Sequence, residues 1–181
     1  MSDRDVVKKA GHELLNRIDT AMQKVDWHSF FALADAVSKS KRTFVTGAGR
    51  SGLVARMFAM RLMHAGLEAF IPGDTVTPAA QAGDLLVAIS CTGSTGYTKY
   101  LADRAKTLGA KVLVITTMPN SPLAEVADLT VTIPAVADDI VLRAAVFEHA
   151  SSLCLDAVFN VLSERFHIDT EAFKARHANL E

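Results

Sequence analysis

The chain reads as an α/β protein, a three-layer sandwich with helices on both faces of a five-stranded parallel sheet. Three observations carry that expectation. Five short β-rich runs recur along the 181 residues, apolar without alternation, as strands covered on both faces are. Helical segments separate the runs, and a strand–helix alternation implies parallel pairing through right-handed crossovers. Half of the residues are hydrophobic and 22% are charged, which excludes a disordered chain and supplies a sizeable core.

Ala10, Leu14, Ile18, Ala21, Met22 and Val25 recur at helical spacing and predict a first helix from about Val6 to Val25. A second helix is expected over Trp27–Ser38. The strands are Thr43–Thr46, Ala69–Ile71, Leu85–Ser90, Val112–Thr116 and Leu129–Ile133, with helices near Gly52–His64, Tyr97–Leu108 and Ser121–Val126 between them. A long helix from about Asp139 to Glu164 closes the chain, and a polar tail comes after it. Pro119-Asn120-Ser121-Pro122 reads as a turn. No linker, low-complexity tract or repeat interrupts this order. One domain over residues 1–181 is expected, with leading helices to about 39, an α/β core to about 165 and the tail beyond.

Nineteen basic against twenty acidic residues leave a net charge of −1, which removes the bulk electrostatic case for nucleic acid or an anionic membrane as partner. Two cysteines, Cys91 and Cys154, do not make a disulfide framework and fit a reducing cytoplasm. Ser2-Asp3-Arg4-Asp5 lacks the apolar core of a signal peptide. The most apolar stretch, Val141–Leu162, carries Arg143, Glu148, His149, Asp156 and Asn160, so a buried or interface helix fits it better than a membrane span.

Two loops carry chemistry. The first strand runs into Gly47-Ala48-Gly49-Arg50-Ser51-Gly52 and a helix, where glycines admit a tight turn and the helix N-terminus favours an anion. Read literally it is the dinucleotide fingerprint, which requires an acidic residue at the end of the second strand. Glu68 has the spacing but stands where that strand begins, and Asp74 lies beyond a Pro72-Gly73 turn; a tight turn without ligand is the plain alternative. The third strand ends in Ser90-Cys91-Thr92-Gly93-Ser94-Thr95-Gly96 before another helix. One hydroxyl suffices for an N-cap, so four point to a bound phosphate. Both loops leave the carboxyl edge of one parallel sheet, where such sheets bind ligands.

Glu148 stands on the long apolar helix with Ala144, Ala145, Ser151 and Ser152 at helical spacing. Burying an unpaired carboxylate is costly. It is therefore either a structural pair, with Arg143 or His149, or a general base facing a cleft that small side chains leave open. Among six histidines, His64 closes the helix after the first loop, where a cation suits the dipole, and His177 lies in a tail with no packing pattern to explain it. Cys91, ahead of a helix N-terminus, is either a reactive low-pKa thiol or a buried inert one. No cluster has metal-ligand spacing, so no metal and no cofactor is expected.

The strand–GAGRSG–helix unit and the SCTGSTG loop resemble the sugar isomerase (SIS) family of phosphosugar-binding domains. GAGRSGLVARMFAMRLMHAG, GDTVTPA, SPLAEVADLTVTIPA and the terminal RHANLE extend the resemblance over nearly the whole chain, toward members acting on hexulose 6-phosphates. Family members usually have Ser-Gly-Ser-Gly in the second loop; Ser90-Cys91-Thr92-Gly93 keeps the hydroxyls and puts a thiol in place of glycine. The resemblance implies a flavodoxin-like strand order and an isomerase that moves a ketone between D-arabino-3-hexulose 6-phosphate and fructose 6-phosphate through a cis-enediolate, within the ribulose monophosphate pathway. It implies Glu148 as base, sugar contacts for His64 and His177, and a substrate cradle of Gly49, Arg50, Ser51, Ser90, Thr92 and Thr95. A pentulose 5-phosphate isomerase of the same family and a non-catalytic sugar-phosphate sensor are the alternatives. A helix apolar all round needs cover from several sides, and family members form dimers or tetramers. A homotetramer is expected, with His177 of one subunit reaching the Glu148 site of a neighbour.

Overall fold

The computed structural model describes residues 2–179. Two helices lead, α1 (Asp3–Met22) and α2 (Trp27–Lys39). Ser2 starts α1 three residues earlier than the apolar spacing predicts, because its side chain and that of Asp5 satisfy each other's backbone N–H in a capping box. Then come β1 (Thr43–Gly47), α3 (Arg50–His64), β2 (Ala69–Phe70), β3 (Leu85–Ile89), α4 (Gly96–Thr107), β4 (Lys111–Thr116) and β5 (Leu129–Thr132). The long α5 (Ile140–Arg165) and a short α6 (Thr170–Ala175) complete the fold.

All five strands are parallel, in the order β2-β1-β3-β4-β5, the flavodoxin-like arrangement. Successive residues point to opposite faces and feed two cores. Val45, Val87, Ile115 and Val131 face α2, α3 and α5, meeting Leu33, Phe58, Leu62, Phe147 and Leu155. Phe44, Leu86, Val112 and Val114 face the other way, onto Ala102 and Ala105 of α4 and onto Leu123. Each fully buried Phe or Leu here contributes about 1.5–3 kcal/mol over its exposed state.

Three departures from the sequence expectation have local causes. The predicted helix at Ser121–Val126 is a single 3-10 turn, Ala124–Val126, because the Leu123 N–H donates to the Gly93 carbonyl at 3.0 Å and holds the backbone to the second loop. β2 stops at Phe70 because the Ile71 carbonyl is taken by the Asp74 N–H and the Thr77 hydroxyl. The tail, expected to lack packing, folds into α6 on an Asp169 cap and lays Phe173 against His64, ring centroids 4.5 Å apart.

Helix α5 is long and apolar enough to cross a membrane by those measures alone. It packs instead against α1, α2 and α3, and buries Glu148 and Ser151 among its apolar residues. The strand register brings the two glycine-containing loops together. Gly47 lies opposite Ile89, so the first loop and the second, which begins at Ser90, leave the same edge side by side. With β2 and β3 on opposite sides of β1, the crevice between β1 and β3 is the topological switch point of the sheet.

Candidate active site

The first loop is shaped by backbone crowding. A Cβ on Gly47 would come within 2.8 Å of the Ser51 backbone, and one on Gly52 within 2.7 Å of the Gly47 carbonyl oxygen. These two glycines therefore press the start of α3 onto the end of β1. Gly49, at φ 57° and ψ −131°, adopts a conformation that L side chains rarely take. It is also the N-cap of α3, so that terminus has no side-chain cap. Glu68 and Asp74 do not serve a ribose: Glu68 precedes β2, and Asp74 is held by Arg56 in two hydrogen bonds of 2.8 and 3.0 Å. Those bonds keep the Asp74 carboxyl below its usual range.

The second loop is internally braced. Ser90, almost fully buried, accepts the Gly93 N–H through its hydroxyl at 3.2 Å and lies 3.3 Å from the Thr95 hydroxyl. The Thr92 and Ser94 hydroxyls pair at 2.8 Å and both residues are exposed. Gly93, at φ 61°, leaves no space for a Cβ against Ser121 Oγ. Thr95 is the N-cap of α4, yet its side chain makes no cap hydrogen bond. Helices α1, α2, α5 and α6 are each capped by a side chain, from Ser2, Asp26, Asp139 and Asp169. Among the described α-helices, only the two that begin at these loops, α3 and α4, present bare first-turn N–H groups, which together with the positive helix ends favour an anion.

Glu148 is buried on α5, and its carboxylate accepts the Nε–H of Arg50, the first residue of α3 and 98 positions away in sequence. Neither Arg143 nor His149, the nearby charged residues on the same helix, is the one chosen; His149 is exposed. The Arg50 side chain is 63% exposed, so most of its guanidinium remains open to a ligand while Nε fixes the carboxylate. Arg143, the fourth residue of α5, keeps Nε buried with no hydrogen-bond partner among the described residues. Ser51 is buried at the root of the first loop.

Of the two readings of Cys91, the buried one fits the structure. Helix α4 starts five residues later, and burial pushes the Cys91 thiol up, against a hydrogen bond to Thr117 and the charge of Arg143; Glu148 reinforces the rise. Cys154, buried in the main core, is pushed up to about 12.

His64 and His177 do come together. Their rings stack with centroids 5.1 Å apart and planes 13° apart, and the Phe173 ring lies tilted against His64. His64 is buried, its Nδ1 has no hydrogen-bond partner among the described residues, and its pKa is lowered by burial first, then by His177 and Arg61. Arg176 reaches over Gly66 and donates to the His64 carbonyl, closing the C-terminus of α3. Along α3 the backbone rise from Arg50 to His64 is roughly 20 Å at 1.5 Å per residue, and Ser152, one turn beyond Glu148 on α5, lines the same cavity as His64 and His177. Of the terminal RHANLE match, Leu180 and Glu181 lie outside the described residues. Among the described residues no group of three or more His, Cys, Asp or Glu side chains converges as a metal would require.

Comparison with known proteins places this geometry. The SIS domain family matches residues 36–159. A 3-hexulose-6-phosphate isomerase of Mycobacterium gastri is 41% identical over 97% of this chain and 95% of its own length. One from Methylomonas aminofaciens is also 41% identical, over 93% of this chain and 94% of its own. A Methanococcus jannaschii protein, whose crystal structure led to the inference of that same activity, superposes with a TM-score of 0.84 at 32% identity over 93% of this chain and 97% of that one.

Proposed function

The chain belongs to the SIS domain family, and from that premise we propose that it is an isomerase interconverting D-arabino-3-hexulose 6-phosphate and D-fructose 6-phosphate. The observation that carries the residue assignment is the Glu148–Arg50 contact, set at the bare N-terminus of α3 on the edge shared by both loops. The uncapped N–H groups of α4 and the hydroxyls of Ser90, Thr92 and Thr95 hold the phosphate. Gly49, Ser51 and Arg50 line the other side of the crevice.

Chemistry then runs through one carboxylate. Glu148 takes the proton from C2, beside the C3 ketone, and the C2–C3 enediolate forms. The C2 hydroxyl proton passes to the C3 oxygen, and Glu148 returns its proton to C3, which leaves the ketone at C2. Arg50 and the first-loop N–H groups stabilise the enediolate oxygens. The 3-ketose can close a five-membered ring only through its 6-hydroxyl, which the phosphate blocks, so the forward substrate arrives open-chain. Ring opening is needed only in reverse. Conversion of the hexulose phosphate to fructose 6-phosphate without any nucleotide tests the reading, and no conversion overturns it.

We also infer a cytoplasmic homotetramer within the ribulose monophosphate pathway. Leu53, Met57, Met60 and Met63 form an exposed apolar row along α3, 62% to 38% exposed. A second copy covering that row with its own α3 antiparallel brings its His177 beside the first copy's Glu148. There the imidazole assists ring opening.

A further inference from the structure

We propose that Arg143 binds the substrate, its guanidinium taking the phosphate group from the Cys91 side of the second loop. This rests on the isomerase reading and assigns to it a residue that no sequence motif singles out. Three observations support it. Arg143 lies four residues past the Asp139 cap of α5, and α5 starts, as α3 and α4 do, from the carboxyl edge of the sheet. Its Nε is buried without a hydrogen-bond partner among the described residues, and a buried N–H left without an acceptor is costly until one meets it, while the half-buried side chain leaves the outer guanidinium open to that ligand. Arg143 stands five residues ahead of Glu148 on α5, about 7.5 Å by helical rise, and Glu148 is bound to Arg50 at the first loop, beside which the second loop leaves the sheet; the charges of both also bear on the Cys91 thiol.

The division of labour follows from these positions. Arg50 spends its Nε–H on Glu148 and is tied to the reacting carbons. Its guanidinium cannot also serve the far end of an extended six-carbon chain. The bare N–H groups and hydroxyls of the second loop are neutral, so a phosphate dianion held by them alone meets no full positive charge. Arg143 supplies one, and its planar fork of donors suits phosphate oxygens.

R143M keeps the length of the side chain and removes its charge. The expected result is a KM for the hexulose phosphate raised by roughly 10–100-fold with kcat changed by less than about threefold, the pattern of lost substrate binding. Affinity for inorganic phosphate, by calorimetry, should fall in parallel. With no ligand, R143M should unfold at a temperature no lower than the parent chain, whereas a merely structural arginine would leave it destabilised. Phosphate should also slow phenylglyoxal modification of Arg143 in the unaltered protein, mapped by mass spectrometry, which needs no folded variant. Unchanged KM and phosphate affinity in folded R143M, or no protection of Arg143 at saturating phosphate, overturns the proposal. If the parent chain does not turn over the hexulose phosphate yet R143M still loses phosphate affinity, the substrate reading falls and the anion site stands.

Discussion

Glu148 and Arg50 act as one unit, and E148Q separates their functions. The amide keeps the shape and still accepts the Arg50 Nε–H, but it cannot take a proton. Turnover should fall ~10²–10⁴-fold while phosphosugar affinity stays near that of the parent; near-normal kcat would remove Glu148 as the base. Its candidacy was legible in sequence, since a carboxylate on a helix apolar on all sides needs a reason. Its partner was not, because sequence spacing points to neighbours on the same helix and the chosen arginine is 98 positions away. His64 gives a pH-dependent contribution with a definite sign. Its pKa in the folded chain lies below the ordinary 6.5, so the unfolded chain binds the proton first as pH falls. The ring's contribution to stability is therefore complete above about 6.5 and declines below it. An NMR titration should find His64 protonating at lower pH than free histidine, and H64F should flatten the fall in melting temperature on the acid side. A titration at or above the free value would contradict the burial argument.

At the scale of elements, the two loops differ in how their hydroxyls are used. Ser90 braces Gly93, so S90A should lower stability by about 0.5–1.5 kcal/mol as well as raise KM. Thr95 makes no cap bond to α4, so T95A should raise KM while leaving the melting temperature almost unchanged. Equal destabilisation with unchanged KM in T95A would mean that the hydroxyl serves the fold instead. The strands, the helices between them and both glycine turns were readable because each arises from a local pattern: unbroken apolar runs, then Gly/Ser/Thr before a helix. The 3-10 turn and α6 were not. The first depends on a hydrogen bond from Leu123 to Gly93, and the second on Phe173 finding His64, contacts between residues distant in sequence.

For the whole molecule, the placing of His177 at the far end of α3 from Arg50 sets the decisive experiment. E148Q and H177A chains, each impaired alone, are dissociated, mixed and reassembled. Activity in the reverse direction, from fructose 6-phosphate, should reappear in mixed assemblies, where a sound Glu148 and a sound His177 meet from different copies. Mixtures no better than the separate variants would confine each site to one chain.

The reach of 98 residues from Arg50 to Glu148 also orders events during synthesis. A chain emerging from the ribosome can pair β1 with β3 and β3 with β4 and shape both loops before α5 exists. The carboxylate arrives only with the last long helix, the same segment that covers the core beneath α1, α2 and α3. On the proposed assignment, catalytic competence is thus acquired only once α5 is in place. A chain released before α5 is complete holds the proposed cradle without the proposed base, and leaves the apolar face that α5 covers open, a natural target for chaperones and proteases.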